Sequence, residues 1–375
     1  MAPTPVQSKK PLGKALVIGG CGFLGHHIVN LIHSSYDAQI SVIDLRTTNN
    51  RRPDSDGVQY FDGDITSLSS LIPLFEKIKP DVVFHTASPT LMGGSKEMYR
   101  KVNVDGTGCV IEACQKTGVK ALVYTSSASI VSDNSSDLIN ADERWPVIRG
   151  KMQTEYYSET KAEAESLALA ANRAEAAPKL LTAAIRPAAI FGSGDVQLIP
   201  RIVDLYYQNK TGFQLGDNVN LFDFTHVDNV AHGHILAAVA LLQTSTLTTP
   251  PLDHEKVDGE AFFVTNDAPI YFWDFSRALW KAAGDTRGTE HVWVISKDMG
   301  LIIGGAMEWI NWAIGRTPKL TIKQVKYSCM TRYYSIDKAK KRLGYSPIVP
   351  LEEGIRSAVQ WYDDEHKKEG EKKSQ

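Results

Sequence analysis

The amino-acid sequence predicts an α/β fold: a doubly wound parallel sheet followed by a smaller C-terminal lobe. Apolar runs typical of buried strands alternate with helical patterns through the first half of the chain. The first apolar run leads into a glycine-rich turn that opens a helix. Because helices that connect parallel strands cross over with one hand, this alternation favours helices on both faces of one sheet.

The glycine-rich turn lies between a predicted strand at 15–18 and a predicted helix at 23–32. Its glycines recur every three residues and also satisfy the pattern G-x-G-x-x-G. Such a turn brings a pyrophosphate close to the backbone, and the free N–H groups of the helix N-terminus bind it. We therefore predict a Rossmann-type dinucleotide site, whose residues here are Gly19, Gly20, Gly22, Phe23, Leu24 and Gly25.

The second predicted strand, 40–44, ends in the carboxylate of Asp44. In this fold an acidic residue at that place accepts hydrogen bonds from the adenosine ribose and disfavours a 2′-phosphate. NAD is therefore the expected cofactor and NADP the less favoured one, although Arg46 could accommodate a phosphate. The alternative is that Asp44 is only a turn residue.

Further strands are predicted at 58–62, 81–87, 121–128 and 181–187. Cofactor contacts are expected where they end, from Asp64 and Ile65, from Ser88 and from Pro187. Asp64 is equally suited to be the N-cap of a helix at 67–78, and the two roles are compatible. A helix at 229–242 is expected to return and flank the main sheet.

These elements divide the chain into four segments. A flexible leader is predicted at 1–12, a cofactor-binding core at 13–190, a substrate lobe with segments returning to the core at 191–362, and a charged tail at 363–375. The leader does not read as a secretory signal. A net charge of −2 gives no electrostatic reason to expect nucleic acid. The four cysteines form no metal-binding or disulfide pattern, so free thiols and no metal are expected.

A catalytic pair is predicted at Tyr157 and Lys161. Four residues apart on a helix, their side chains share one face, with Cβ atoms about 5–6 Å apart. A nearby ammonium, together with an oxidised nicotinamide, favours the phenolate of a tyrosine, which otherwise titrates near 10. Ser127, at the end of the fifth strand, is the first choice for holding a substrate oxygen, ahead of Ser126 and Ser129.

Taken together, these motifs resemble the extended short-chain dehydrogenases and, within them, the 3β-hydroxysteroid dehydrogenase group. The resemblance extends over nearly the whole chain, and its later blocks separate this group from the sugar epimerases that share the first half. The passages that carry it are 18–25, 85–89, 102–107, 124–127, 140–146, 186–192, 220–223, 262–267 and 271–273. A small departure is at 225–229, which keeps the expected V-D-N but varies upstream.

The resemblance is strongest to the decarboxylating branch of ergosterol synthesis, and it implies a reaction. Tyr157 takes the proton of a sterol 3β-hydroxyl while hydride passes from C3 to NAD. Lys161 lowers the pKa of Tyr157 and holds the nicotinamide ribose, and Ser127 orients the substrate oxygen. A 4α-carboxylate then leaves as CO2, because the product is a β-keto acid. Alternatives are the same chemistry on a specialised triterpenoid, a nucleotide-sugar epimerase or dehydratase, and a non-catalytic NAD(P) sensor.

The segment 299–314 is the most apolar part of the second half. It is shorter than the roughly 20 apolar residues that span a bilayer, and Glu308 and Asn311 interrupt it. Trp309 and Trp312 suit a helix in the membrane interface, and a lid or core helix is the alternative. The resemblance implies peripheral attachment to the cytosolic face of the endoplasmic reticulum membrane, beside other C4-demethylation enzymes. The sequence leaves the oligomeric state, monomer or homodimer, undetermined.

Overall fold

The computed structural model describes residues 9–90, 94–318 and 320–374, with side chains in the last helix up to residue 367. The strands are β1 Lys10–Ile18, β2 Tyr36–Asp44, β3 Gln59–Asp62, β4 Val82–His85, β5 Ala121–Thr125, β6 Leu138–Ala141, β7 Leu181–Pro187, β8 Ile190–Phe191, β9 Phe213–Leu215, β10 Leu221–Phe222, β11 Thr225–His226, β12 Glu260–Val264, β13 Ile270–Tyr271, β14 Trp293–Ile295 and β15 Arg332–Tyr334.

The helices alternate with these strands in the first half and dominate the second. They are α1 Phe23–Ser35, α2 Leu68–Ile78, α3 Lys96–Tyr99, α4 Thr107–Thr117, α5 Tyr156–Ala170, α6 Ile199–Tyr207, α7 Val227–Thr244, α8 Phe272–Ala282, α9 Lys297–Ala313, α10 Ile322–Cys329, α11 Asp337–Leu343 and α12 Leu351–Ser374. A π-helical segment, Arg100–Gly106, joins α3 to α4.

The main sheet of the described residues has the order β3-β2-β1-β4-β5-β7-β12, and each pair of neighbours is parallel. This is the strand order of a Rossmann fold extended by one strand. The strand order reverses between β1 and β4, so the crevice above that point, at the carboxyl ends of the strands, is where a ligand is expected.

Helices cover both faces of the main sheet, as the alternation of strands and helices predicts. Ala15 and Val17 of β1 belong to the core under α1 and α7, whereas Leu16 and Ile18 belong to the core under α2, α4 and α5. Successive strand residues point to opposite faces, so a strand buried on both sides reads as one continuous apolar run. The predicted α/β fold class is confirmed.

The second half of the chain contributes to both parts of the molecule. Helix α7 packs on the main sheet and β12 extends it, as expected of segments that return to the core. The smaller lobe contains a second sheet of order β13-β10-β15-β6 and an aromatic cluster in which Phe224 stacks on Phe275 with centroids 3.6 Å apart. Its β6 comes from the first half, just after the fifth strand of the main sheet.

Regular secondary structure extends into both predicted terminal segments. Strand β1 begins at Lys10, within the predicted leader, because Lys10 and Pro11 pair with the start of β2. Residues 1–8 lie outside the described part. Helix α12 runs to Ser374 and so continues through the predicted tail. Charged residues of that composition form helix readily, and oppositely charged side chains three or four residues apart support it.

Candidate functional site

The glycine-rich loop joins β1 to α1 by close backbone contacts. Gly19 has φ of 80°, and a Cβ there would lie 2.7 Å from the backbone nitrogen of Ala87. A Cβ on Gly20 would meet Val42 at 2.7 Å, and one on Gly25 would lie 2.2 Å from the carbonyl oxygen of Gly19. Side chains are excluded at these positions, which lets a ligand and the first turn of α1 approach the loop.

The N-terminus of α1 is open to an anion. Gly22 is its N-cap and has no side chain to satisfy the first N–H groups, and the first turn holds no acidic residue. Phe23 and Leu24 follow, Leu24 buried in the core and Phe23 half-buried with its ring edge-on to His27. The unsatisfied N–H groups and the positive end of the helix dipole fit a pyrophosphate.

Asp44 ends β2 directly beside this loop. Its Oδ2 accepts a hydrogen bond of 3.0 Å from the backbone N–H of Cys21. Its other carboxylate oxygen has no hydrogen-bond partner among the described residues, and the side chain is half-buried. Asp44 is therefore more than a turn residue: the loop holds it with one oxygen left for a ligand.

Asp64 does not cap the following helix, so the prediction of an N-cap is wrong. Ser67 is the N-cap residue of α2. Asp64 instead accepts bonds of 2.8 Å from the backbone N–H and the hydroxyl of Thr66, which stabilise a tight turn before the helix. The side chain of Ile65 is buried in the core against Gly106, which leaves only its backbone for a cofactor contact.

Ser88 lies at the mouth of the crevice and connects to the catalytic helix. It donates a 2.9 Å hydrogen bond to Asn103, Asn103 donates one of 3.0 Å to Thr160, and Thr160 donates to the backbone carbonyl of Tyr157 at 2.8 Å. The hydroxyl of Ser88 also lies near that of Tyr157, where it can turn from Asn103 to donate to the phenolate. The structure thus brings Ser88, predicted as a cofactor contact, directly against the predicted catalytic tyrosine.

Tyr157 stands in the first turn of α5, half-buried, with its ring edge-on to Tyr99 at 5.7 Å between centroids. Burial raises the pKa of Tyr157 to about 12, while the hydrogen bond with Ser88 acts in the opposite direction because it stabilises the phenolate. Lys161 is not among the groups that shift this pKa in the free protein.

Lys161 is buried one turn further along α5 and is held by the sheet. Its ammonium donates to the backbone carbonyl of Thr125 and lies 4.5 Å from the centre of the Tyr124 ring. Burial lowers the pKa of Lys161 to about 7, and the carboxylate of Glu165 works against this shift. Because the ammonium is engaged with Thr125, it contributes little to the ionisation of Tyr157 in the free protein.

Ser127 precedes a short 3-10 turn, Ala128–Val131, and accepts a hydrogen bond of 3.2 Å from the backbone N–H of Ser129. The two hydroxyls are 2.8 Å apart, and Ser158 donates to Ser129 at 2.8 Å. A chain of hydroxyls therefore links Ser127 to the residue that follows Tyr157. Ser126 is buried with its hydroxyl unpartnered, so it is less accessible to a substrate than Ser127.

Several supporting residues were not predicted from the sequence. Thr125 is fixed from both faces of the sheet, since its carbonyl accepts from Lys161 and its hydroxyl bonds to Nε2 of His234 at 2.7 Å. Glu165 holds buried Arg186 by two bonds of 2.6 and 2.9 Å. The spacing of Glu165, four residues after Lys161, was the available signal, because it puts both on one helix face.

The remaining predicted residue, Pro187, ends β7 opposite Val264 of β12 and is buried at the carboxyl edge of the sheet. The carboxyl ends of β1, β2, β4, β5 and β7 therefore carry the glycine loop, Asp44, Ser88, Ser127 and Pro187 along one edge. Within the described part of the chain, no group of three His, Cys, Asp or Glu side chains is placed to hold a metal ion.

Three features define a dinucleotide-dependent dehydrogenase of the short-chain type. They are this strand order, a glycine loop without side chains, and a tyrosine-lysine pair beside a strand-end serine. The family model described as 3-beta hydroxysteroid dehydrogenase/isomerase family matches residues 16–295. The chain belongs to this family.

Curated relatives extend the likeness over nearly the full length. The decarboxylating sterol-4-alpha-carboxylate 3-dehydrogenases of Schizosaccharomyces pombe and Saccharomyces cerevisiae are each 40% identical, over 95% and 94% of this chain and 99% of their own. The enzyme of that name from Mus musculus is 36% identical over 92% of this chain and 90% of its own.

Solved structures show the same fold at low identity. A dTDP-glucose 4,6-dehydratase from Bacillus anthracis in complex with NAD superposes with a TM-score of 0.67 at 20% identity, covering 94% of this chain and 97% of its own. A Thermus thermophilus UDP-glucose 4-epimerase in complex with NAD gives 0.66 at 20%, covering 93% and 99%. A nicotinamide cofactor therefore suits this fold.

Proposed function

We propose that the protein oxidises the 3β-hydroxyl of a 4α-carboxysterol to the 3-ketone with NAD, and that the C4 carboxylate leaves as CO2. The observation that carries this proposal is the 40% identity, over nearly the whole of both chains, to two yeast enzymes named for this reaction. The side chains that the reaction needs, Tyr157, Lys161 and Ser127, all occur at the ligand-binding edge of the sheet.

Each side chain of the site has a separate role in the oxidation step. When bound, the cofactor supplies the hydride acceptor. Ser127 donates a hydrogen bond to the substrate oxygen and orients it, and Tyr157 takes the hydroxyl proton as a phenolate. Lys161 is buried, and its ammonium, directed at the strand end by Thr125, can bind a ribose hydroxyl.

Loss of CO2 follows from the chemistry of the product. A carboxylate on the carbon next to a new ketone is a β-keto acid, and the ketone receives the electron pair of the breaking carbon–carbon bond. No further catalytic base is needed for that step, which agrees with a site built from one tyrosine, one lysine and one serine.

The choice of NAD over NADP is supported by Asp44. The free oxygen of its carboxylate lies at the end of β2 beside the glycine loop, where it can accept from ribose hydroxyls and repel a 2′-phosphate. Arg46 is exposed two residues further. Comparing kcat/KM for the two cofactors in Asp44→Ala tests this point, and an unchanged preference contradicts it.

Replacement of Tyr157 by Phe tests the reaction. It removes the phenolic oxygen and leaves the glycine loop untouched, so NADH production from a 4α-carboxysterol should fall about 10²-fold or more. NAD binding, measured by calorimetry, should stay nearly unchanged.

Tyr156→Phe is the matched control, because the neighbouring tyrosine has a threonine rather than a lysine four residues on, and it should keep its activity. If Tyr157→Phe keeps more than about a tenth of the wild-type turnover, the role of Tyr157 is wrong. Rescue of an ergosterol-pathway mutant separates the primary sterol pathway from a specialised triterpenoid substrate.

We further propose that helix α9 attaches the protein to the cytosolic face of the endoplasmic reticulum membrane, beside other C4-demethylation enzymes. Its exposed side is apolar at helical spacing, and we call this side the α9 stripe: Met299, Ile302, Ala306, Trp309 and Ala313. Trp309 is 68% exposed and the adjacent Trp312 80%. Within the described residues no helix is long and apolar enough to cross a bilayer. A tryptophan-bearing apolar face suits the membrane interface.

A further inference from the structure

Arg332, in the middle of the second sheet, is a buried cation without a counter-ion. Only 8% of it is exposed. Its Nε donates a 2.8 Å hydrogen bond to the hydroxyl of Tyr334, and the guanidinium lies 5.9 Å from the centre of the Tyr327 ring. No carboxylate of the described residues forms an ion pair with it.

The nearest acidic residue along the sheet does not supply the missing charge. The backbone N–H of Asp223 donates to the carbonyl of Arg332, but the carboxylate of Asp223 accepts from the backbone N–H of Tyr334. Burial raises the pKa of Asp223 to about 7. By contrast, Arg186 is 4% exposed and has Glu165 as a bidentate partner. A buried charge is costly unless it is paired. A negatively charged ligand from outside the chain would therefore supply the partner that Arg332 lacks.

The position of Arg332 relates it to the catalytic residues. Tyr334, which accepts the bond from Arg332, donates through its own hydroxyl to the carbonyl of Ala128 at 3.3 Å. Ala128 directly follows Ser127. Two hydrogen bonds thus connect the guanidinium with the turn that carries the substrate-orienting serine.

The guanidinium also has free donors. Neither of its two terminal nitrogens has a hydrogen-bond partner among the described residues, and neither is sealed from solvent. The ring of Tyr327 beside them is partly exposed. Arg332 therefore keeps both terminal nitrogens for a ligand, and a guanidinium with these donors free can bind a carboxylate bidentately.

We propose that Arg332 binds the C4 carboxylate of the substrate and so selects carboxylated sterols. This inference rests on the proposed function. The carboxylate is attached to the carbon next to C3, so a residue that binds it must lie close to the group that orients the C3 oxygen, as Arg332 does. Loss of CO2 removes the negative charge, and the product ketone then leaves Arg332 without its partner, which favours release.

The test compares two sterols that differ only at C4. Wild type, Arg332→Gln and Arg332→Lys are assayed with a 4α-carboxy-3β-hydroxysterol and with the same sterol carrying a 4α-methyl group. NADH formation gives kcat and KM, and quenching of tryptophan fluorescence gives binding to the NAD-loaded protein. For Arg332→Gln we expect kcat/KM and affinity for the carboxysterol to fall roughly 30-fold or more, mainly through KM, because a buried charge pair is broken.

With the methyl sterol, Arg332→Gln should bind within about threefold of wild type, a change of less than 1 kcal/mol. Arg332→Lys keeps the charge and loses the bidentate geometry, so its affinity for the carboxysterol should lie between those of the wild type and Arg332→Gln. Arg277→Gln is the control, since Arg277 is half-buried in the same lobe and already paired with Asp274 at 3.0 Å; it should bind both sterols as wild type does.

Equal losses of affinity for both sterols would overturn the proposal, because they would show that Arg332 only maintains the fold. Unchanged affinity for the carboxysterol would overturn it as well. Failure of the wild type to oxidise the carboxysterol would instead contradict the proposed function, whereas the binding measurement would still report whether Arg332 recognises the carboxylate.

Discussion

At the scale of single residues, the ionisation of Tyr157 depends on small contacts. Burial raises its pKa to about 12, and the hydrogen bond with Ser88 is the contact that favours the phenolate. Lys161, whose pKa is lowered to about 7 by burial, is directed at Thr125 instead. Ser88 therefore has a larger effect on the free tyrosine than the lysine, which was the residue expected to activate it.

Removing the hydroxyl of Ser88 should make Tyr157 harder to ionise. In Ser88→Ala the phenolate loses a hydrogen bond, so the pKa of Tyr157 rises and less base is present at a given pH. We expect kcat/KM at pH 7 to fall roughly 3- to 10-fold, corresponding to about 1 kcal/mol. The pKa of the pH profile should move upward, and the difference from wild type should shrink only as the pH approaches that pKa, where both enzymes become ionised.

The measurement is the pH dependence of kcat/KM, with Ser245→Ala, an exposed serine at the end of α7, as the control. A profile whose pKa is unchanged, with kcat/KM lowered by the same factor on its plateau, would show that Ser88 acts on binding or folding rather than on the proton of Tyr157.

The sequence reveals Tyr157 and Lys161 because their relation is local: four positions on one helix. The contact of Ser88 with Tyr157 and the support of Lys161 by Thr125 join distant parts of the chain, and neither leaves a pattern in the sequence. Asp64, by contrast, does fit a sequence pattern, but the pattern suggested a role that the structure does not give it. Its residue type suits an N-cap, but the helix begins further along, and only the backbone geometry decides which turn the side chain stabilises.

At the scale of elements, the junction of β1, the glycine loop and α1 is the most constrained. Its residues are close in sequence, so the pattern of glycines predicts their arrangement well. β12 was not predicted as part of the main sheet, because its partner β7 is far away along the chain and a short apolar run carries no information on pairing.

Substitution of Gly25 should disrupt this junction. The Cβ of Gly25→Ala would lie 2.2 Å from the carbonyl oxygen of Gly19, so α1 must move away from the loop. We expect thermal unfolding to show a destabilisation of about 1–3 kcal/mol. Calorimetry should show an NAD affinity reduced at least 10-fold.

Gly108→Ala provides the comparison within another helix, α4, where a Cβ would meet no atom within 4 Å. That variant should be stabilised by about 0.5–1 kcal/mol through helix propensity, with unchanged cofactor binding. If both variants bind NAD as wild type does, the close packing of the loop is not what makes the cofactor site.

At the scale of the whole molecule, catalytic and membrane-facing parts are separate. The catalytic residues lie on the main sheet and α5, whereas the α9 stripe belongs to the second half, where α9 packs on α10. A change in the stripe and in the adjacent Trp312 should therefore affect attachment without affecting chemistry.

The double variant Trp309→Ser/Trp312→Ser should lose vesicle binding. Each tryptophan supplies apolar area and interfacial preference, so we expect at least a 10-fold loss of partitioning in co-sedimentation with phosphatidylcholine–phosphatidylserine vesicles. Activity on a detergent-solubilised sterol should be retained. Val219→Ser/Leu252→Ser, which replaces apolar residues 77% and 63% exposed elsewhere, should bind vesicles as wild type does. Equal binding by all three proteins would contradict a role of α9 at the membrane.

The position of β12 in the main sheet has a consequence for synthesis. β7 is buried along its whole length between β5 and β12, yet its second neighbour ends at Val264. Until that residue has left the ribosome, β7 remains an open edge with unpaired backbone groups and apolar side chains, the kind of surface on which nascent chains associate. The interval between the emergence of these two strands is therefore the stage of synthesis at which the edge of β7 is open to association with another chain.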